Sequence, residues 1–250
     1  MSEVGSPFKF LNPYTLEDKD FFFGRTDEID LIYDMVFDTN LLMIYGASGT
    51  GKTSLVQCGL ANRFQKTDWF DIHVRRKDNI NRSIWKEIRK HALTDIPEGK
   101  DLPSAIQSLF LDFFKPIYLI FDQFEELYLL GSDEERAEFI SSIAALLEAD
   151  LSCKIIIIMR EEFIAQLYDF EKQVPKLFDK RVRIEPMSFA NVDKVIRGSA
   201  QRFNIQLEDD ESTISKIIDN ISDGKSGVQL SYLQVYLDRL YREAHSKKNL

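Results

Sequence analysis

Short apolar runs alternate along the first three quarters of the chain with longer segments of helical periodicity. The runs predict five strands, at Leu41–Tyr45, Phe70–Arg75, Ile117–Phe121, Ile155–Met159 and Val182–Ile184. Between them, apolar residues recur at spacings of three and four, as at Ile29, Ile32, Met35 and Val36, which is the period of an amphipathic helix. This alternation predicts an α/β fold around a mostly parallel, five-stranded sheet.

The pattern changes after Pro186, where the strand-like runs stop. The rest of the chain predicts three helices, at Asn191–Phe203, Asp210–Ile221 and Gln229–Ala244. We therefore predict that residues 1–187 form a sheet-based core and that residues 188–250 form a small helical domain.

Composition narrows the function classes. The 250 residues are 44% apolar and carry a net charge of -9, which argues against a broad nucleic-acid footprint because phosphate binding depends on clustered Lys and Arg. Two cysteines are too few for a disulfide framework, and the longest aliphatic block, Ile155–Met159, is far shorter than the ~20 residues that span a bilayer. We expect a soluble cytoplasmic protein that does not bind a membrane, and the acidic net charge disfavours nucleic acid as its partner.

The strongest chemical signal is a glycine-rich segment between the strand Leu41–Tyr45 and a helix that begins near Lys52. It matches the phosphate-binding pattern G-x-x-x-x-G-K-[ST]. In such a loop the backbone N–H groups point at phosphate oxygens, and the positive end of the following helix faces the same place. The motif predicts a nucleotide site in which Lys52 reaches the β and γ phosphates and Thr53 coordinates Mg²⁺. The predicted binding residues are Gly46, Ala47, Ser48, Gly49, Thr50, Gly51, Lys52, Thr53 and Ser54.

The second signal is a cluster of carboxylates directly after the strand Ile117–Phe121. Asp122 occupies the Walker B position, where an acid holds Mg²⁺ through its water shell. Position 123 is Gln, so the base that activates the attacking water is expected to be Glu125 or Glu126. The alternative for both glutamates is a solvated first turn of the next helix, where acids suit the helix dipole.

The third signal is Arg160, which follows the aliphatic run Ile155–Met159. A strand that is aliphatic over its whole length is buried on both faces and central to its sheet. An arginine at its carboxyl end is a candidate sensor of the γ-phosphate, because ligands bind outside the carboxyl ends of such strands. The alternative is an ion pair with Glu161 or Glu162.

Three further features have simpler interpretations. The basic run Arg75-Arg76-Lys77 is interpreted as a solvated face, and Asp133–Glu138 as the acidic start of an exposed helix. Phe110, Phe113 and Phe114 have helical spacing and are expected in the core.

Taken in order, these motifs resemble the STAND class of P-loop NTPases, signal-transduction ATPases of the AAA+/NACHT-like superfamily, and most closely its prokaryotic novel STAND group. The shared segments are Pro13-Tyr14, Phe22-Phe23-Gly24-Arg25, the loop through Ser54-Leu55-Val56, Gly59-Leu60, Asp122-Gln123-Phe124-Glu125-Glu126-Leu127 and Arg160-Glu161-Glu162-Phe163. Two positions depart from the family pattern. Glu162 replaces an Asp, and Ser231 replaces a proline that helps to contact the nucleotide in relatives.

The resemblance implies an additional-strand core, with the Arg160 strand between the Walker A and Walker B strands, followed by a helical lid from about residue 187. It also implies ATP or ADP and Mg²⁺ as ligands, slow ATP hydrolysis, and a signalling switch that self-associates when ATP is bound. Phe23, Gly24 and Arg25 become candidate adenine contacts. The alternative is that Phe22 and Phe23 anchor the N-terminal arm to the core. Two other functions stay open: a DNA-linked ATPase, and a nucleotide-dependent scaffold without catalysis, which Gln123 beside Asp122 suggests.

Overall fold

The structure, a computed structural model, describes residue 6 and residues 8–208, 210–222 and 227–248. It divides into two compact units. One comprises Met1–Asp30, Ala47–Asn62 and Ile184–Leu250, and is called the loop unit here; the other comprises Leu31–Gly46 and Arg63–Arg183, and is called the sheet unit. The division at residue 187 into core and lid stays a prediction.

The sheet unit contains five strands, and every neighbouring pair is parallel. Their bounds are β1 Leu41–Gly46, β2 Phe70–Val74, β3 Ile117–Phe121, β4 Cys153–Arg160 and β5 Arg181–Arg183. Their order across the sheet is β2-β3-β4-β1-β5. The α/β fold is therefore confirmed. Strand β4 lies between β1 and β3, as the family resemblance implied.

The burial of strands β3 and β4 explains why their sequences are continuous apolar runs. All of β3 is buried, and residues 155–159 of β4 are at most 2% exposed. Because both faces of these strands are covered, their sequences are apolar throughout instead of alternating. The register pairs Val74 with Phe121 and Phe121 with Ile157. The polar residues that follow β2 and β3 are therefore neighbours at the carboxyl edge of the sheet.

Three helices of the sheet unit pack against one another: α3 (Ile80–His91), α4 (Leu102–Phe113) and α6 (Asp133–Glu148). Each begins after a capping side chain that accepts a hydrogen bond from a backbone N–H of the first turn: Asn79, Asp101 and Ser132, respectively. This unit also contains two shorter α-helices, α5 (Glu125–Leu130) and α7 (Tyr168–Gln173), and a 3-10 helix at Glu161–Leu167. Helix α1 (Thr26–Asp38) begins in the loop unit and ends in the sheet unit.

The loop unit has its own apolar core, which includes Phe8, Val192, Ile196 and Leu233. Its helices are α2 (Lys52–Ser54), which continues as a π-helical turn over Leu55–Leu60, and then α8 (Phe189–Arg202), α9 (Asp210–Ser222) and α10 (Leu230–Lys248). The three helices predicted after Pro186 are thus present. No helix in the described ranges is long and apolar enough to cross a membrane.

Candidate functional site

The residues predicted to form the site fall into two groups that belong to different units. The loop unit holds the first group: Phe23, Gly24, Arg25, Ala47, Ser48, Gly49, Thr50, Gly51, Lys52, Thr53 and Ser54. The sheet unit holds the second: Gly46, Asp122, Glu125, Glu126 and Arg160.

The glycine-rich loop has the strand and helix neighbours that the motif requires, since it follows β1 and leads into α2. Gly49 and Gly51 have φ of 78° and 86°, in the left-handed region that favours glycine. The hydroxyl of Thr50 donates a hydrogen bond to the carbonyl of Ala47 (3.0 Å), and Nζ of Lys52 donates to the same oxygen at 2.7 Å. The loop is therefore curled around one of its own carbonyl groups.

Arg25 fixes this loop from the N-terminal side. Its side chain is 3% exposed, and Nη2 donates hydrogen bonds to the carbonyl oxygens of Thr50 and Glu185, both at 2.9 Å. Its Nη1 pairs with Glu28. A buried cation is tolerated only when its N–H groups find acceptors. The side chain of Arg25 thus supports the loop structurally, and its predicted contact with adenine stays a prediction.

Phe23 and Gly24 lie against helix α8. Gly24 has a φ of 78°, and a Cβ atom at this position would lie 2.8 Å from the carbonyl oxygen of Asn191. The ring of Phe23 covers Gly198, where a Cβ atom would come within 2.9 Å of the ring carbons. These contacts attach Phe23 and Gly24 to α8, which belongs to the predicted lid, so anchoring of the arm to the predicted core stays a prediction. An adenine contact by Phe23 or Gly24 is not tested by them.

The first turn of α10 lies directly on the glycine-rich loop. The N–H of Leu230 donates a hydrogen bond to the carbonyl of Gly49 (2.9 Å). A Cβ atom on Gly49 would lie only 2.7 Å from Oγ of Ser231, the residue that replaces the family's proline. The glycine is therefore needed for close approach as well as for its backbone conformation, and Ser231 retains a place beside the loop.

Tyr14 connects the N-terminal arm with the end of the same loop. Its N–H donates to Oγ of Ser54 (3.0 Å), so this hydroxyl, predicted to face the nucleotide, accepts a backbone hydrogen bond. Burial raises the pKa of Tyr14 to about 12, although a hydrogen bond with Gln234 acts in the opposite direction. The phenol is thus a neutral group across the physiological pH range.

The chain turns sharply directly after strand β3. Gln123 has a φ of 56°, and the N–H of Phe124 donates to the carbonyl of Ile158 on the neighbouring strand (3.0 Å). The ring of Phe124 is buried among Phe121, Phe139 and Phe170. This aromatic anchor sets where α5 begins, and so places Glu125 beside the end of β4.

Asp122 is 3% exposed and forms an ion pair with Arg75, the residue that follows β2. Nε and Nη2 of Arg75 both donate to Oδ2, at 3.0 and 2.5 Å. Arg76 is also engaged, since it is 9% exposed and lies 2.8 Å from the carboxylate of Glu135. The interpretation of this basic run as a solvated face is therefore wrong for Arg76, which is buried, whereas Arg75 is exposed and also paired with Asp122. The signal available for Arg75 was that it is the charged last residue of the predicted strand Phe70–Arg75.

Glu125 and Glu126 have different environments. Glu125 is 5% exposed and accepts a hydrogen bond from the N–H of Arg160 on Oε2 (3.2 Å), while Nε of Arg160 lies 3.1 Å from Oε1. Glu126 is only half-buried. The solvated-turn alternative is therefore wrong for Glu125. Arg160 pairs with this glutamate, whereas Glu161 pairs with Arg183.

The donor chemistry fits Mg²⁺. The described residues contain no group of three or more His, Cys, Asp or Glu that could hold a metal ion by themselves. Mg²⁺, however, is usually bound by one or two protein oxygen ligands together with waters and substrate phosphates. Asp122 and Thr53, each within its own unit, offer oxygen atoms of this kind.

Comparison with solved structures concerns the fold. The fold is similar to a Walker-type ATPase of Pyrococcus abyssi, with a TM-score of 0.67 and 16% identity over 94% of this chain and 71% of that chain. It is also similar to two Aeropyrum pernix proteins: ORC2 in its ADPNP-ADP complexes (TM-score 0.60, 15% identity, 84% of this chain and 60% of that chain) and ORC1 in complex with DNA (0.59, 14%, 90% and 62%). No curated protein matches the chain in sequence. A family model described as Novel STAND NTPase 1 matches residues 7–250, and the chain therefore belongs to this family.

Proposed function

We propose that the chain binds Mg²⁺ and ATP through the glycine-rich loop and hydrolyses ATP slowly, as a cytoplasmic signalling switch. The observation that carries this proposal is the loop itself. Its two left-handed glycines, between β1 and α2, give the curled backbone that directs N–H groups toward phosphate oxygens. Membership of an NTPase family supports the same conclusion.

Lys52 is the phosphate-binding side chain of this proposal. Its ammonium group donates to the carbonyl of Ala47, a neutral acceptor. A hydrogen bond with one ionised partner is roughly twice as strong as a neutral one, and an anionic phosphate oxygen adds direct attraction between opposite charges. A phosphate oxygen therefore competes well for this donor. Bound Mg²⁺ would neutralise the charge that develops on the phosphates. We assign Thr53 as its hydroxyl ligand and Asp122 as the acid that holds it through its water shell.

Glu125 is the proposed general base. A base must be held in a defined orientation near the proton that it removes, and Glu125 is buried, with Arg160 engaging both of its oxygens. Arg160 then has two roles: it positions Glu125, and its half-exposed guanidinium remains the proposed sensor of the γ-phosphate. Glu126, which is half-buried, serves as the control residue when the two glutamates are replaced by glutamine in the test below.

The switch requires that nucleotide alter something beyond the loop. The hydrogen bond between Leu230 and Gly49, with Ser231 beside it, connects the loop to α10. A ligand shifts a conformational equilibrium only by its different affinity for the two states. We propose that ATP and ADP affect this contact differently, that Phe23, Gly24 and Arg25 contribute to adenine binding, and that the ATP state self-associates.

The test compares three single variants with the wild type, using a fluorescent ATP analogue for binding and single-turnover phosphate release for chemistry. Lys52→Ala should abolish binding. Glu125→Gln should bind normally and release phosphate at least ~100-fold more slowly, because a general base contributes about 10²–10⁴. Glu126→Gln should affect the rate much less. Wild-type binding by Lys52→Ala would contradict the proposal, and absence of phosphate release from the wild type would favour the non-catalytic scaffold.

A DNA-linked ATPase is the second candidate, and one feature of the sheet unit favours it. Helix α3 exposes Arg82, Lys86 and Arg89 around the half-buried ring of Trp85. Basic side chains with an interleaved aromatic are suited to phosphates and bases. Binding of a DNA oligonucleotide that weakens steeply with salt, and that Lys86→Glu removes, would support this function. Equal affinity of the two proteins for the oligonucleotide would count against it.

A further inference from the structure

Arg75 has no role in the function proposed above, yet it contacts the most buried of the proposed catalytic and metal-binding carboxylates. Both of its hydrogen bonds, from Nε and from Nη2, end on the same oxygen of Asp122, Oδ2. The Asp122 side chain is 2% exposed, whereas the Arg75 side chain is 44% exposed. The pair therefore joins a fixed carboxylate to an arginine that reaches it from the surface.

The carboxylate needs a positive partner at all times. Burial of a carboxylate without one is costly, because the interior does not replace the lost hydration. The guanidinium of Arg75 meets this need in the structure. A hydrated Mg²⁺ would meet it equally well, since its bound waters donate hydrogen bonds to carboxylate oxygens. Arg75 and the metal are thus alternative partners for one group.

The geometry makes them competitors. A carboxylate oxygen offers about two lone-pair positions, and Oδ2 already accepts two hydrogen bonds from Arg75. A metal-bound water that donates to this oxygen has to displace at least one of them. Asp122 itself has little freedom, because its N–H is bonded to the carbonyl of Val74 and its side chain is enclosed.

Arg75 can leave its carboxylate more easily than its neighbour Arg76 can. Arg76 is held by both oxygens of Glu135 and by the carbonyl of Leu130, and it is buried. The exposed half of Arg75 can instead be rehydrated when it swings away from the sheet. An arginine that is easily solvated is a suitable partner for a carboxylate that must change partners in each cycle.

We infer that Arg75 sets the affinity of this protein for its divalent cation by competing with the hydrated metal for Oδ2 of Asp122. This inference rests on the proposed function, in which Asp122 serves Mg²⁺. Arg75 is a positioning residue in this scheme. It keeps the carboxylate oriented and charged between metal-binding events, and it makes metal release easier than Asp122 alone would allow.

The experiment measures the dissociation constant of Mn²⁺, by the electron paramagnetic resonance of free Mn²⁺, with the protein saturated by ADP. Arg75→Met should bind Mn²⁺ about tenfold more tightly than the wild type, which corresponds to about 1.4 kcal/mol. Affinity for the nucleotide in EDTA should be unchanged, because no metal is then present. The matched control is Arg183→Met, which removes an exposed arginine paired with Glu161 in the same unit and should leave Mn²⁺ affinity unchanged.

Arg75→Lys covers the case in which the methionine variant does not fold. Lysine keeps the charge but lacks the planar fork that places two N–H groups on one oxygen, so Mn²⁺ should bind a fewfold more tightly than to the wild type. Unchanged or weaker Mn²⁺ binding in the folded Arg75 variants would overturn the inference. Asp122→Asn separates this failure from that of the proposed function: if it leaves Mn²⁺ affinity unchanged, the metal role of Asp122 itself is wrong.

Discussion

Replacing Arg25 by methionine tests whether this residue serves the loop or the base. Methionine keeps most of the apolar volume but removes the donors to the carbonyls of Thr50 and Glu185 and the ion pair with Glu28. The base-contact hypothesis predicts lower affinity for nucleotide with normal stability. The contacts in the structure predict a loss of both.

The size of the stability loss follows from the burial of the two acceptors. A hydrogen bond from a charged donor contributes about 1.5–3 kcal/mol, and a buried acceptor left without a partner costs about 1–3 kcal/mol. Thr50 is fully buried, whereas Glu185 is exposed enough for water to replace the lost donor. The Thr50 bond therefore dominates, and Arg25→Met should lower the free energy of unfolding by about 2–4 kcal/mol.

Urea denaturation followed by far-ultraviolet circular dichroism measures this loss, with the m-value checked for constancy. Glu28→Gln is the matched control, because it removes the partly exposed acid but leaves both carbonyl bonds of Arg25. Glutamine keeps a side-chain oxygen that can accept from Nη1, so this variant should lose less stability than Arg25→Met. A free energy of unfolding for Arg25→Met within about 0.5 kcal/mol of the wild type would refute the structural role, since random surface changes have effects of that size.

Three further predictions concern stability and thiol chemistry. Glu135→Leu should lower the free energy of unfolding by about 3–5 kcal/mol, because it leaves buried Arg76 without its carboxylate. Adding Arg76→Met should recover much of this loss. Equal denaturation midpoints for the single and double variants would contradict this. The hydrogen bond from the N–H of Ser104 holds the pKa of Asp101 below its usual range, so the stabilisation from the ionised Asp101 cap is present at neutral pH and lost as pH falls below about 4. Asp101→Asn should therefore show a smaller difference in the free energy of unfolding between pH 7 and pH 3 than the wild type. An unchanged difference would contradict this. Burial raises the pKa of Cys58 and of Cys153 to about 12, so at pH 8 only about one thiol in ten thousand is ionised. Ellman's reagent should therefore react slowly with both thiols until denaturant is added. Rapid reaction of the native protein would contradict the burial.

The parts of the fold that depend on local pattern were predictable from the sequence. Strands β3 and β4 are apolar throughout because both of their faces are covered, and the glycine-rich loop stands between the strand and helix that its motif requires. Phe114 shows the limit of helical spacing. It was expected in the core but is 75% exposed, because its φ of 53° at the end of α4 turns the chain away from the helix.

The charged contacts were less predictable, because their partners are distant along the chain. Arg75 pairs across 47 residues and Arg76 across 59, and no periodicity reports such pairs. Glu135 was expected on an exposed helix start, which Ser132 does cap, but it is buried by Arg76. The sequence identified the carboxylates of the candidate site. It did not identify the arginine that holds Asp122, or the contact of Arg160 with Glu125.

The hydrogen bond from Leu230 to Gly49 has a consequence for the order of events during synthesis. The loop leaves the ribosome early, whereas its partner in α10 is made only near the end of the described chain. Contacts between distant segments form late, because the intervening chain must first be ordered. A nascent chain that ends before residue 230 therefore carries the phosphate-binding motif without this partner. The loop can therefore reach its full hydrogen bonding only after translation has passed α9.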